Sequence, residues 1–262
     1  MSRFLTHCCA LGVFAALGIF LVSCQKGNHV ELPEQELQLD EFSGEIVEDQ
    51  QHAAGVILER FVNAPKVGDL APETRFFDPE TVEEVELSAL LGGKPVVLVF
   101  GSWSCTTTSL YTEEYADLYS RFSDVADFYF VYLREAHPKG GYMPALAYDM
   151  AKVKIPEISD PQGLEGRCKL ADEFGKKKDL PMRFLVDSMD DMAAILWAAW
   201  PARLYVIGGD GRVLYSGGQG PWYYKLTKEN WHTPPPIPIE KALNSVPYAK
   251  ISLEEFLESL PQ

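Results

Sequence analysis

Pro95-Val-Val-Leu-Val-Phe-Gly-Ser-Trp-Ser-Cys105-Thr-Thr-Thr-Ser109 is the stretch on which the fold turns. Val96 to Phe100 form a continuous apolar run rich in β-branched residues, the pattern of a strand buried on both faces. Gly92-Gly93-Lys94 makes a turn before it, and Pro95 opens it. After Cys105, Tyr111, Tyr115, Leu118 and Phe122 recur at helical spacing, with Glu113, Glu114 and Asp117 between them. Asp127 to Leu133 repeat the buried-strand pattern. A short strand is expected at Val85 to Leu87.

Further on, Leu204 to Ile207, the turn Gly208-Gly-Asp-Gly211 and Arg212 to Tyr215 read as a β-hairpin. Ser252 to Leu260 read as a helix, with Ser252 and Glu255 at capping-box spacing. The order β, α, β, hairpin, α predicts an α/β protein of thioredoxin-like fold, a central mixed sheet flanked by helices. Trp231-His-Thr-Pro-Pro-Pro-Ile-Pro238 cannot continue a helix, because prolines lack the N–H and fix φ, so an extended loop is expected there.

The chain begins differently. Arg3 is the only charge before Lys26, and the apolar run from Cys8 to Val22 has the length of a secretory signal rather than of a membrane span. It ends Leu21-Val22-Ser23-Cys24, which resembles a bacterial lipobox with Cys24 as the lipidated residue. Residues 1–23 therefore read as a lipoprotein signal and 24–64 as an acidic tether. Residues 65–262 read as the folded domain, with a Pro-rich insertion near 228–247. The expected location is a membrane, held through lipid on Cys24 and facing a periplasm. Gln25 after the cysteine favours the outer membrane.

Composition narrows the function. The 262 residues carry 23 Lys and Arg against 38 Asp and Glu, a net charge of −15, which excludes nucleic acid as a natural partner. The five histidines are too dispersed for a metal-ligand pair, and no Gly-rich loop has a phosphate-binding pattern, so neither metal nor nucleotide cofactor is expected. Of the five cysteines, Cys8 and Cys9 leave with the signal and Cys24 takes lipid. Cys105 and Cys168 remain as thiols.

Cys105 lies between a buried strand and a helix, where unpaired helical N–H groups favour a thiolate. Reactive cysteines so placed have pKa values of about 3.5–7.5 instead of about 8.5. The residue three further on is Thr108, so no disulfide closes within one helical turn. An oxidised Cys105 needs Cys168 or an outside thiol, and Cys168 reads equally as a buried helix cysteine.

Phe100-Gly-Ser-Trp-Ser-Cys105 resembles the active-site stretch of the iodothyronine deiodinases, which carry selenocysteine at the place of Cys105. Asp124 to Pro138, ending Glu135-Ala-His-Pro138, is similar to that family's second strand. Gly166-Arg-Cys168, Val186 to Asp190, Ala202 to Ile207 and Gly217 to Trp222 follow in family order. The resemblance implies Cys105 as nucleophile, Glu135 and His137 as proton-transfer groups, and Arg203, Tyr132 and Ser104 as substrate-binding residues. It also implies an external thiol or thioredoxin-like electron donor, a small-molecule substrate, and a homodimer as in many members.

The chain departs from the pattern in three features. Trp103 stands where many members have a cysteine, Thr106 and Thr107 replace two prolines, and Glu157-Ile-Ser-Asp160 lacks an expected histidine. The leading expectation is a thiol-dependent oxidoreductase attacking an aryl iodide, a peroxide or a disulfide. The alternatives are a peroxiredoxin-like peroxidase and a non-catalytic lipoprotein binding a partner through its tether and the aromatics Trp222, Tyr223 and Trp231. For the peroxidase speak Val67-Gly68-Asp69 and Ser102, and against it Leu98 in place of a proline.

Overall fold

A computed structural model describes residues 64–140, 156–220, 223–229 and 248–261. The expected signal, Cys24, nearly all of the tether and the loop Trp231 to Pro238 lie outside these residues.

The apolar run becomes β3 (Val96–Gly101), with all six residues buried. It pairs in parallel with β4 (Asp127–Tyr132), from Val96 opposite Asp127 to Gly101 opposite Tyr132. On its other side it runs antiparallel to β6 (Arg203–Ile207), with Phe100 opposite Arg203. A strand hydrogen-bonded on both edges and covered on both faces has no solvent to meet, which is why its sequence does not alternate.

Side chains alternate across it all the same. Val97 and Val99 join one core cluster with Trp103, Cys105, Tyr115, Phe130 and Phe174. Val96, Leu98 and Phe100 join the other, with Leu185, Trp197 and Tyr205.

Around this centre stand β1 (Arg75–Phe77), β2 (Glu84–Glu86), β5 (Arg183–Val186) and β7 (Val213–Ser216). The sheet order is β2-β1-β5-β4-β3-β6-β7. β3, β4 and β5 are mutually parallel, and β6 and β7 form the expected antiparallel hairpin. Helices α1 (Thr106–Leu110) and α2 (Thr112–Phe122) connect β3 to β4. α3 (Leu164–Lys177) precedes β5, α4 (Met192–Leu196) follows it, and α5 (Leu253–Glu258) comes last. Two parallel strands joined through helices, then an antiparallel hairpin and a closing helix, make the fold thioredoxin-like.

The capping box of α5 is formed: Ser252 Oγ accepts from the Glu255 amide at 3.1 Å, and the Ser252 amide donates to Glu255 Oε2 at 2.8 Å. Two local readings shift. The strand expected at Val85 to Leu87 lies at Glu84–Glu86, because the Leu87 amide turns to the Thr74 carbonyl at 2.9 Å and a 3-10 turn begins at Leu87. The helix after Cys105 is two helices, broken at Tyr111, whose φ of −106° and ψ of 23° leave the helical region.

β5 runs directly into Asp187, which is fully buried. Its carboxylate accepts the first-turn amides of α4, Ala193 at 2.8 Å and Ala194 at 3.0 Å. Burial nevertheless pushes its pKa up to about 6, against those two donors and the nearby Arg167. In the unfolded chain the value returns to about 3.9. Between these values the folded protein holds a proton that the unfolded chain has lost, so the Asp187 contribution to stability is greatest below about pH 4 and is lost as pH rises to about 6. That loss is roughly 2–3 kcal/mol. Urea unfolding at pH 4.5 and pH 7 should show it in the wild type and lose it in Asp187→Asn; an equal pH dependence in both would refute the assignment.

Candidate active site

Residues 101–105 carry the chain from β3 into α1, and Cys105 is the residue that caps α1, with extended φ of −69° and ψ of 122°. Ser102, Trp103, Ser104 and Cys105 are all buried. Loop backbone enclosed in this way must find partners for its N–H and C=O groups. The segment after β4 supplies them, nearly residue for residue.

The Gly101 carbonyl accepts from the Leu133 amide at 2.8 Å. Ser102 Oγ accepts from the Ala136 amide at 3.1 Å, and Ser104 Oγ from the His137 amide at 2.9 Å. In the reverse direction the Trp103 amide donates to the Tyr132 hydroxyl at 3.2 Å, and the Ser104 amide to Glu135 Oε2 at 2.8 Å. The Tyr132 hydroxyl donates in turn to Glu135 Oε1. Ser109 Oγ closes the loop from inside α1, donating to the Trp103 carbonyl at 2.6 Å.

Burial pushes the Glu135 carboxyl above the usual range while the Ser104 and Tyr132 donors pull it down. Burial also raises the Tyr132 phenol, with the Glu135 charge adding to the effect. The structure thus brings Ser104, Cys105, Tyr132, Glu135 and the backbone of His137 together. The first contacts of Glu135, Tyr132 and Ser104 are with the loop that carries Cys105. His137 itself is half-buried.

Cys105 is 2% exposed. Burial pushes its thiol up, and the amides and hydroxyls of Thr107 and Thr108 pull it down. Desolvation is the larger effect, so the direction is opposite to the depressed value expected from a strand-to-helix position alone. The phenols of Tyr115 and Tyr224 bond to each other at 2.7 Å, and both sit close enough to feel the charge of Cys105. Tyr111 stacks on Tyr224 with centroids 6.1 Å apart. A wall of aromatic hydroxyls therefore stands beside the sulfur.

Trp103, at the departure from the family pattern, packs on Phe174 with centroids 5.7 Å apart, and Lys177 Nζ lies 5.2 Å from its ring.

Cys168 lies on α3, buried, and is a free thiol like Cys105. Its own surroundings are different: burial pushes it up, as does the charge of Asp78, while Arg167 pulls it down. Arg203 is not brought to the Cys105 face. Its pairing with Phe100 puts it on the opposite side of the sheet, over the Tyr205 ring at 5.2 Å. There Nε donates to the Gly217 carbonyl at 2.8 Å and Nη1 to the Ala198 carbonyl at 3.2 Å, and burial lowers its pKa.

Sequence reading quoted Arg167 only within the Gly166-Arg-Cys168 segment and gave no role to it or to Asp191. Arg167 Nη1 meets Asp191 Oδ1 at 3.0 Å, and Arg134, next to Glu135, meets Asp191 Oδ2 at 3.3 Å. The buried, helix-spaced row Arg167, Cys168, Ala171 and Phe174 was the available signal. Among the described residues no three His, Cys, Asp or Glu side chains converge as metal ligands would.

Residues 46–231 match the iodothyronine deiodinase family. The chain belongs to that family. A thyroxine 5-deiodinase from Sparus aurata is 30% identical over 175 residues, which are 65% of this chain and 61% of that protein. One from Aquarana catesbeiana is 33% identical over 176 residues, again 65% and 61%. The chain thus spans about three fifths of the length of these curated relatives.

Among solved structures, the thioredoxin domain of a thiol-disulfide oxidoreductase from Bacteroides vulgatus is 15% identical, covers 56% of this chain and 85% of that one, and has a TM-score of 0.36. At that level the fold rests on strand order, not on the match. The deiodinase match takes in all seven strands of the described residues and every residue of the Cys105 site; α5 lies beyond it.

Proposed function

We propose that this deiodinase-family chain is a thiol-dependent reductase in which the Cys105 thiolate attacks a soft electrophile, with an aryl iodide as the first substrate class. One observation carries the reading: a cysteine stands at the head of the helix after the central strand, on a loop whose amides are tied by Tyr132 and Glu135. Such a loop holds the sulfur in one place, which is what displacement at a halogen needs.

In the reaction, sulfur bonds to iodine as the carbon–iodine bond breaks. The electron pair goes to the ring carbon, which takes a proton. A donor thiol then displaces iodide from sulfur as a mixed disulfide, and a second donor thiol frees Cys105. The sum converts aryl iodide and two thiols into arene, iodide, a proton and one disulfide. His137, whose amide is anchored on Ser104, is the group proposed to deliver the proton. Arg203, enclosed on the other face, is assigned to holding the chain around β6 and β7. Anchoring by lipid on Cys24, an outer-membrane position and a homodimer remain part of the proposal on sequence grounds.

The test is a parallel assay of the full chain with dithiothreitol as donor. Iodide release from thyroxine or a simpler iodophenol is measured beside reduction of hydrogen peroxide and of a model disulfide. Iodide release faster than either competing reduction, and dependent on the donor, is the expected result. Peroxide consumption without iodide release would replace this reading with the peroxidase.

A further inference from the structure

Two buried hydroxyls stand close enough to Cys105 to act on its ionisation. Thr107 and Thr108 are fully or almost fully buried, and their Oγ1 atoms have no hydrogen-bond partner among the described residues. Threonines in a helix ordinarily turn such a hydroxyl back to a carbonyl three or four residues earlier. Here two of those carbonyls are engaged elsewhere, Trp103 O by Ser109 Oγ at 2.6 Å and Cys105 O by the Ser109 amide at 2.9 Å.

Cys105 occupies the capping position of α1, yet its neutral side chain accepts no capping bond. The Thr107 and Thr108 amides, the second and third of the helix, are the ones a capping side chain would take. The surroundings leave room for both hydroxyls. A Cβ on Gly101 would collide with Thr108 Oγ1, and one on Gly220 would come within 3.3 Å of Thr107 Oγ1.

We propose that Thr107 and Thr108 are catalytic residues of this chain, whose hydroxyls and amides bind the sulfur of Cys105 once it has lost its proton. The thiolate turns a weak acceptor into a charged one, and bonds to a charged acceptor are about twice as strong as neutral ones. In a site as dry as this, the donors supply what water would otherwise supply. Both hydroxyls and both amides act on Cys105 in the direction of ionisation.

The other titratable groups facing the sulfur are the phenols of Tyr115 on α2 and Tyr224 after β7, with Tyr111 and Tyr215 behind them; burial raises all four, so they stay neutral through the test range. From the β4 side, Glu135 and Tyr132 address the Trp103 and Ser104 amides.

The inference rests on the reading of Cys105 as a reacting thiolate, and the experiment separates the two. The reduced full chain is treated with iodoacetamide from pH 6 to 10, and alkylation is followed at Cys105 alone by peptide mass spectrometry. Thr107→Val and Thr108→Val keep shape and remove the hydroxyl. Each should slow alkylation at pH 7 by about threefold, and together by about tenfold, through an upward shift of the pH midpoint. Thr107→Ser and Thr108→Ser should restore the wild-type midpoint, and Thr106→Val should leave it unchanged.

An unchanged midpoint in the double valine variant would overturn the proposal. So would serine variants as slow as the valine ones, since packing alone would then be at work. A wild-type Cys105 that is never alkylated would overturn the nucleophile reading first, and this proposal with it.

Discussion

Replacing Cys105 by serine is expected to abolish donor-dependent reduction, a loss of at least about a thousandfold, while leaving the fold as stable as before or slightly more so. The loss follows from chemistry: a serine hydroxyl is a poor nucleophile toward iodine or sulfur and forms no mixed disulfide. The stability side follows from position. Cys105 stands at the capping residue of α1, with the Thr107 and Thr108 amides open to a side-chain acceptor. Serine is a preferred residue there and cysteine is not, so an oxygen at this place stands to gain about 0.5–1 kcal/mol from the cap.

A residue that lowers stability where a common alternative would raise it is what selection for reactivity leaves behind. Activity and thermal melting of the same variant decide the matter. Retained activity would remove Cys105 from the mechanism. Full loss with a melting temperature lower by more than a few degrees would make the thiol a packing element.

The parts of this fold that sequence shows are those whose physics is local or repeats along the chain. β3 and β4 announce themselves because a doubly buried strand must be a run of apolar, β-branched or aromatic residues. The hairpin β6–β7 is marked by Gly208-Gly-Asp-Gly211, and α5 by the Ser252–Glu255 capping box. β1, with three residues, and β5, with four, are too short for any periodicity to stand out, and pairing with larger neighbours makes them strands.

The site divides the same way. The family stretch around Cys105 could be read residue by residue. The direction of the Cys105 pKa could not, because burial is decided by Tyr115, Tyr224 and the strands around it. Arg203 looked available for a substrate anion, but one step of strand alternation sends it to the other face. Glu135 and Tyr132 became holders of the Trp103 and Ser104 amides only because β3 and β4 lie side by side.

That last placement yields the second large effect, and it separates two roles for Glu135. The carboxylate takes the Ser104 amide on one oxygen and the Tyr132 hydroxyl on the other, in a site 2% exposed. Glu135→Leu would strand both donors in a dry interior. Each of these two unsatisfied groups costs about 1–3 kcal/mol, so about 2–6 kcal/mol of unfolding free energy should be lost. For a domain with about 5–15 kcal/mol in all, that is a large share. Movement of the loop by as little as about 1 Å would slow reaction at Cys105 about a hundredfold.

Glu135→Gln keeps an acceptor for the Ser104 amide and keeps the shape. If Glu135 holds the loop, Gln should cost about 1 kcal/mol and slow the reaction less than about tenfold. If Glu135 passes the proton, Gln should silence the enzyme as thoroughly as Leu while leaving its stability nearly intact, since an amide fills the space but cannot give up a proton at neutral pH. Urea unfolding together with turnover on both variants distinguishes the cases. The two bonds to the loop predict that rate and stability fall together, steeply for Leu and mildly for Gln; a silent but stable Gln variant would overturn that and return Glu135 to the chemistry.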